Sequence, residues 1–253
     1  MWGDGAKPPQ FSSLPQNEAR GAKVVIADTR KRHYNHPMSI NKRYRTPHVI
    51  HKLLAPLCLF LLLLTATTAH GEPLAEEVLA EINLARTDPH AYAGFLRDFR
   101  RQFQKKRYRL PGTRTFVRTV EGVKAVDEAI GVLSRQRPLP PLAWSDGLAA
   151  AAAELAKEQK KSGATGHEGV RSGGMRTRIE RHGIWEGEIG ENIGYGPGEA
   201  RLMVIQLIVD DGVPGRGHRK NIYRRSFGTA GAACGPHPRY GKMCVIDFAG
   251  GFR

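Results

Sequence analysis

The chain has 253 residues, 40% of them apolar, so most of it should fold as one good core or as one domain with tails. Its formal charge of +15 is local: residues 71 to 253 hold 29 Lys/Arg against 21 Asp/Glu, and residues 97 to 118 alone hold nine against one. The remainder of that part is neutral, which excludes a global basic field.

Residues 1 to 37 have no periodicity and little apolar content, and they read as a disordered leader or a mis-annotated start upstream of Met38. Residues 38 to 71 read as a signal peptide. A basic stretch, NKRYRTPHVIHK, precedes the apolar LLAPLCLFLLLL, and the small-residue stretch TATTAHGEP follows. The apolar run of 12 residues falls short of the ~20 that a spanning helix needs, so the expectation is export, to the extracellular space or the periplasm. An uncleaved N-terminal anchor is the alternative. Cys58 would leave with the leader. Cys234 and Cys244 remain, an even pair in an exported chain, and are expected to form a disulfide.

PLAEEVLAEINLART (73 to 87) puts Leu74, Val78, Ile82 and Ala85 on one helical face. Asp88 and Pro89 then stop that helix and open the next, as N-cap and N1. HAYAGFLRDFRRQF continues as a helix that turns strongly basic, and LPGTRT breaks it. EGVKAVDEAIGVLSRQ (121 to 136) is amphipathic, and RPLPPL is a proline-stiffened connection. WSDGLAAAAAELAKEQKKSG (144 to 163) is the clearest helix, with Ser145 as cap and Gly163 as stop. Residues 163 to 198 read as a long loop with a short helix and strand. LMVIQLIVDD (202 to 211) is apolar nearly all round, hence a buried helix. GTAGAACG and MCVIDFAG are strand-like and form a hairpin clasped by the two cysteines. Helices first and strands last predict an α+β layered domain.

Candidate acid, base or metal-ligating residues gather in three glycine-bounded places. They are GHEG (His167, Glu168), GEIGENIGYG (Glu188, Glu191, Asn192) and VDDGVPGRGH (Asp210, Asp211, His218). Two imidazoles with one or two carboxylates suit Zn²⁺ or a similar divalent ion. Taken singly each has a plainer reading: an exposed loop histidine, a terminal helix charge, a solvated helix end. No HExxH-type motif fixes a shared geometry.

At GENIGYG and GRGHRKNI the sequence resembles the CAP superfamily (SCP-like, cysteine-rich secretory, antigen 5 and pathogenesis-related proteins), in its bacterial extracellular branch. EINLAR matches that family's Asn–x–x–Arg pattern with Asn83 and Arg86, and LAWSDGL matches its helix-opening signature. A histidine, GEN, a helix end carrying an acid, and G-H follow in order. The resemblance spans residues 73 to 252 and implies a three-layer α-β-α sandwich at 72 to 253. It also implies a cavity lined by His167, Glu191, Asp211 and His218, often holding a divalent metal, with Asn83, Arg86, Glu188, Asn192 and Asp210 in support. The chain departs from the family in three ways. Asp211 stands where the family has Glu, 23 residues separate His167 from Glu191, and residues 97 to 137 form a basic helical insertion.

The expected function is therefore a secreted binding or interaction module with a metal-capable cavity, zinc being the metal that imidazoles suit. A metal-dependent extracellular hydrolase, protease or cell-wall-active, is the alternative. No G-x-S-x-G is present to supply a serine nucleophile. Expected partners are a small molecule, lipid or cell-envelope polymer rather than nucleic acid, with residues 97 to 118 as an anionic-surface contact.

Overall fold

The computed structural model of the chain describes residues 73–109, 114 and 116–253. The leader and signal segment expected at 1–37 and 38–71 lie outside the described residues. Helix α1 (Pro73–Thr87) buries Val78, Ile82 and Ala85 of the face its periodicity marks, with Leu79 beside them and Leu74 partly buried. Asp88 caps α2 (Pro89–Arg100) by accepting from the Ala91 N–H at 2.9 Å, with Pro89 in the first turn.

The basic insertion corrects one expectation. Its helix ends at Arg100, and the charged stretch beyond forms a small antiparallel sheet of β1 (Phe103–Gln104), β2 (Arg107–Arg109) and β3 (Phe116–Arg118). The cause is a spacing of two rather than 3.6. Register partners Phe103, Tyr108 and Val117 share one face, and Phe103 and Tyr108 pack edge-on against Phe99 of α2. The intervening residues point away from the core. Helix α3 (Val123–Leu133) then returns along α2, burying Ala125, Val126, Ala129 and Leu133.

The main sheet runs in the order β4 (Ala143–Trp144), β6 (Thr229–His237), β7 (Gly241–Phe252), β5 (Trp185–Gly196). Only β4 and β6 are parallel. Side chains of β7 alternate between two helical layers. Cys244, Ile246 and Phe248 join α1, α2, α3 and α6 (Ala200–Val209) in the larger core. Met243, Val245 and Ala249 face α4 (Asp146–Ser162) and α5 (Met175–His182). The result is the three-layer α-β-α sandwich. Cys234 and Cys244 are register partners across β6 and β7 and are joined as a disulfide.

Helix α4 follows its sequence signals closely. The Ser145 hydroxyl accepts from the Leu148 N–H at 3.3 Å, and Gly163 ends the helix in the left-handed region at φ 68°. The start of α4 lies almost on β6. A Cβ on Gly231 would stand 2.1 Å from the Ala149 nitrogen and 2.6 Å from the Ser145 carbonyl oxygen. The strand β5, by contrast, is 12 residues long where the Gly-rich sequence suggested only a short strand within a long loop, because β7 pairs with it over most of its length.

Candidate functional site

Strand β5 is an edge strand, and Glu191 and Asn192 on it project to opposite faces of the sheet. Glu191 faces the α4–α5 layer. One of its oxygens meets His167 Nδ1 at 2.7 Å and the other accepts from Arg178 Nη2 at 2.5 Å. Arg178 comes from α5, is fully buried, and also donates to the carbonyls of His167 and Gly173. The Glu191 carboxylate is 2% exposed while the His167 side chain is 46% exposed. A buried anion thus holds a solvent-facing imidazole by its Nδ1.

A second pair is built where α6 ends. Helix α6 ends at Asp210, which adopts the left-handed conformation at φ 55°. That one residue folds its carboxylate back over the turn, where it accepts from the His218 backbone N–H at 2.9 Å and meets His218 Nδ1 at 2.6 Å. Again the carboxylate is 2% exposed and the imidazole, at 24%, is reachable. His218 opens α7 (Gly217–Ile222), whose place beside β5 is fixed by amide contacts. Asn192 Nδ2 donates to the His218 carbonyl at 3.0 Å, and Asn221 Nδ2 donates to Asn192 Oδ1 at 2.9 Å.

Asp211 is not the acid of this pair. Its two oxygens accept from the backbone N–H groups of Val120 and Glu121, at 2.6 and 2.8 Å, so it faces the insertion. The reason is geometric: the left-handed turn at Asp210 sends adjacent side chains apart. Glu188 is half-exposed and bonded to Ser226 and Arg224, whose hydrogen bonds hold its carboxyl below the usual range.

The remaining support residues act at a distance. Asn83 exchanges two hydrogen bonds with the Leu142 backbone, fixing the proline-rich connection. Arg86 is fully buried and donates to the carbonyls of Pro140, Ile222, Arg224 and Phe227, so it ties down the chain that leaves α7. Arg216 binds Glu121 and the Asp210 carbonyl, and Arg219 binds Glu128 and the Ile208 carbonyl. Both arginines brace the loop rather than present a charge. Hydrogen bonds from Arg216 foremost and from the Gly212 backbone N–H, with the charge of Arg219 nearby, hold the Glu121 carboxyl down at about 2.

Two residues of the site escaped the sequence reading. Arg178 sits in the charged string MRTRIERH, which reads as a surface helix. Asp247 is the register partner of Glu191 on β7 and is fully buried, and neither of its oxygens has a hydrogen-bond donor. Burial first, then the neighbouring Glu191, pushes its pKa well above the usual carboxylate range. Its signal was a single acid inside the otherwise apolar MCVIDFAG.

The four-residue ligand set expected from sequence is not assembled as a metal shell. Glu191, Asp210 and Asp211 spend their oxygens on Arg178, imidazole Nδ1 and backbone N–H groups. Among the described residues no three His, Cys, Asp or Glu side chains group as metal ligands. Of these carboxylates, Glu191 and Asp210 each meet an imidazole at Nδ1, and Asp211 meets none.

Residues 79–248 match the profile of the Cysteine-rich secretory protein family (CAP). The chain belongs to that family. Solved structures similar to it include an extracellular protein containing an SCP domain from Bacillus anthracis. That match has 21% identity and a TM-score of 0.37, covering 50% of this chain and 37% of the other. An outer surface protein from Borrelia burgdorferi matches at 17% identity and TM-score 0.37, covering 44% of this chain and 78% of the other. A cysteine-rich secretory protein from Staphylococcus aureus matches at 14% and 0.33, covering 44% and 32%. The chain thus spans little more than a third of the first of these. A search of curated proteins returns no match.

Proposed function

We propose that the chain is an exported CAP domain acting as a binding module, which presents His167 and His218 as recognition groups, each set by a buried carboxylate. The observation that carries this reading is the His218–Asp210 pair. One left-handed residue gives the carboxylate two bonds to the same histidine, fixing both backbone and ring. Such a pair costs buried charge and conformational strain, which a purely structural turn would avoid with Gly or Asn. Export is supported by the apolar leader in the sequence and by the disulfide in a short hairpin.

Imidazoles oriented in this way suit a transition-metal ion such as zinc, taken with carboxylates behind the ligands rather than among them. No observation favours the hydrolase reading. Titration calorimetry with Zn²⁺ on the purified mature protein tests the proposal. Zinc uptake should be lost in His218→Ala and weakened about 10–100-fold in Asp210→Asn, and it should be unchanged in Asp211→Asn. Equal affinity in all four proteins would remove His218 as a recognition group.

A further inference from the structure

The insertion carries a surface unrelated to the histidines. On the outer face of β1–β3, Arg107 stands directly opposite Arg118, and Arg109 stands directly opposite Phe116. The Arg107 guanidinium lies 4.5 Å and that of Arg109 5.1 Å from the centre of the Phe116 ring. Lys105 and Lys106 form the adjoining turn, and all five cations are exposed. The acids beside it are taken: Asp98 by Arg101, Asp127 by Arg100, Glu121 by Arg216, and Asp211 by the backbone N–H groups of Val120 and Glu121. Among the described residues no ion pair involves Lys105, Lys106, Arg107, Arg109 or Arg118.

This pattern is costly. Like charges directly opposite in a sheet destabilise it. Lys105 takes a left-handed φ of 59°, where Gly or Asn would sit with less strain. A face that served only solubility would intersperse both signs. Here instead Phe116 steers two guanidiniums outward, and guanidiniums bind phosphate through paired N–H donors. The strands set neighbouring cations ~5 Å apart across the sheet and ~7 Å apart along it, a flat array for an extended polyanion.

We propose that the outer face of β1–β3, centred on Arg107, Arg109 and Arg118 around Phe116, binds a linear phosphodiester polymer of the cell envelope, of the polyol-phosphate kind. The assignment to the envelope rests on the export reading; the binding itself does not. Two other polyanions fit less well. Binding at a bilayer surface couples cations with apolar side chains that enter the lipid. The ring on this face is half-buried under two guanidiniums, so it offers no such anchor. Single-stranded nucleic acid takes bare aromatic rings on which bases stack, and that same cover removes the platform.

The test is equilibrium binding of full mature protein to polyglycerol phosphate. Vesicles containing phosphatidylglycerol and an oligothymidylate serve as comparison probes. Wild type should prefer polyglycerol phosphate. The triple variant Arg107→Gln/Arg109→Gln/Arg118→Gln should bind it at least about 10-fold more weakly. Its slope of log affinity against log salt should be shallower by about 2, since each phosphate that a cation neutralises contributes ~0.7. A charge-matched control, Lys157→Gln/Lys160→Gln/Lys161→Gln on exposed α4 positions, should bind as wild type. The triple variant should keep the wild-type zinc titration, which shows that it folds and separates this surface from the histidine pairs. Equal weakening in both triple variants would reduce the effect to net charge and overturn the proposal. Preference for the vesicles or the oligonucleotide would overturn it in favour of a membrane or nucleic-acid surface.

Discussion

The two histidine–carboxylate pairs look alike chemically and are built on opposite principles. His167 is held by Glu191, which sits within a 12-residue strand paired along its length to β7 and backed by the fully buried Arg178. His218 is held by Asp210, at a helix end whose geometry depends on one left-handed residue and on ion pairs to the insertion. The first pair is secured by the sheet and the second by a loop. Perturbations should therefore separate them. A buried charge pair fails through its desolvated partner, whereas a braced loop loosens in steps.

The largest effect is expected at the strand. Arg178→Ala leaves Glu191 buried without its cation and should cost about 3–5 kcal/mol by urea unfolding, with the environment of His167 altered and that of His218 kept. If both histidines change together by NMR, the two pairs are not independent. At the loop, Asp210→Asn weakens the charge-assisted bonds and should cost about 1.5–3 kcal/mol. Asp211→Asn should cost less than about 1 kcal/mol by the same assay, because its carboxylate is not the one beneath His218.

Asp247 sharpens the contrast through pH. Its folded pKa is raised, so the stability it allows is full below the ordinary carboxylate range and declines as pH rises toward the folded value. Asp247→Asn removes that dependence. Its melting temperature should match wild type near pH 4 and exceed it at pH 8, by an amount corresponding to about 1–3 kcal/mol. An unchanged pH profile would mean that Asp247 does not titrate against the fold.

The smallest effect is at the brace. The Glu121 carboxyl is held near 2 against an ordinary 4.5, so its contribution is present above 4.5 and lost as pH falls toward 2. Amide protection of residues 211–216 should drop over that window while β5 keeps its protection. In Glu121→Gln the drop should already be present at pH 5.

How much of this was legible beforehand follows from what each signal depends on. Helices α1, α2 and α4 could be read because caps and periodicity are local: Asp88, Ser145 and Gly163 act within four residues of themselves. The insertion's sheet could not, since Phe103, Tyr108 and Val117 become one face only after three short strands pair. His167, Glu191 and His218 were identifiable as candidates from their residue type, glycine setting and family order. The choice between Asp210 and Asp211 was not, because adjacent acids differ only in a backbone angle that sequence does not display. Arg178 stayed hidden because an arginine among charged neighbours reads as surface until an anion is found buried beneath it.

One missing methyl group sets the spacing of half the molecule. With only hydrogen at Gly231, the backbone of α4 rests on the backbone of β6. From the far end of that helix, Glu158 and Gln159 hold the segment around His167 by bonding to Val170, Ser172 and Gly166. An alanine at 231 would act as a wedge under one end of a lever. The displacement would be felt at residues 166 to 172, although the atoms that a Cβ at 231 would meet belong to Ser145, Leu148 and Ala149. Gly231 thus works as a spacer of zero thickness, and its identity is a specification of distance rather than of flexibility.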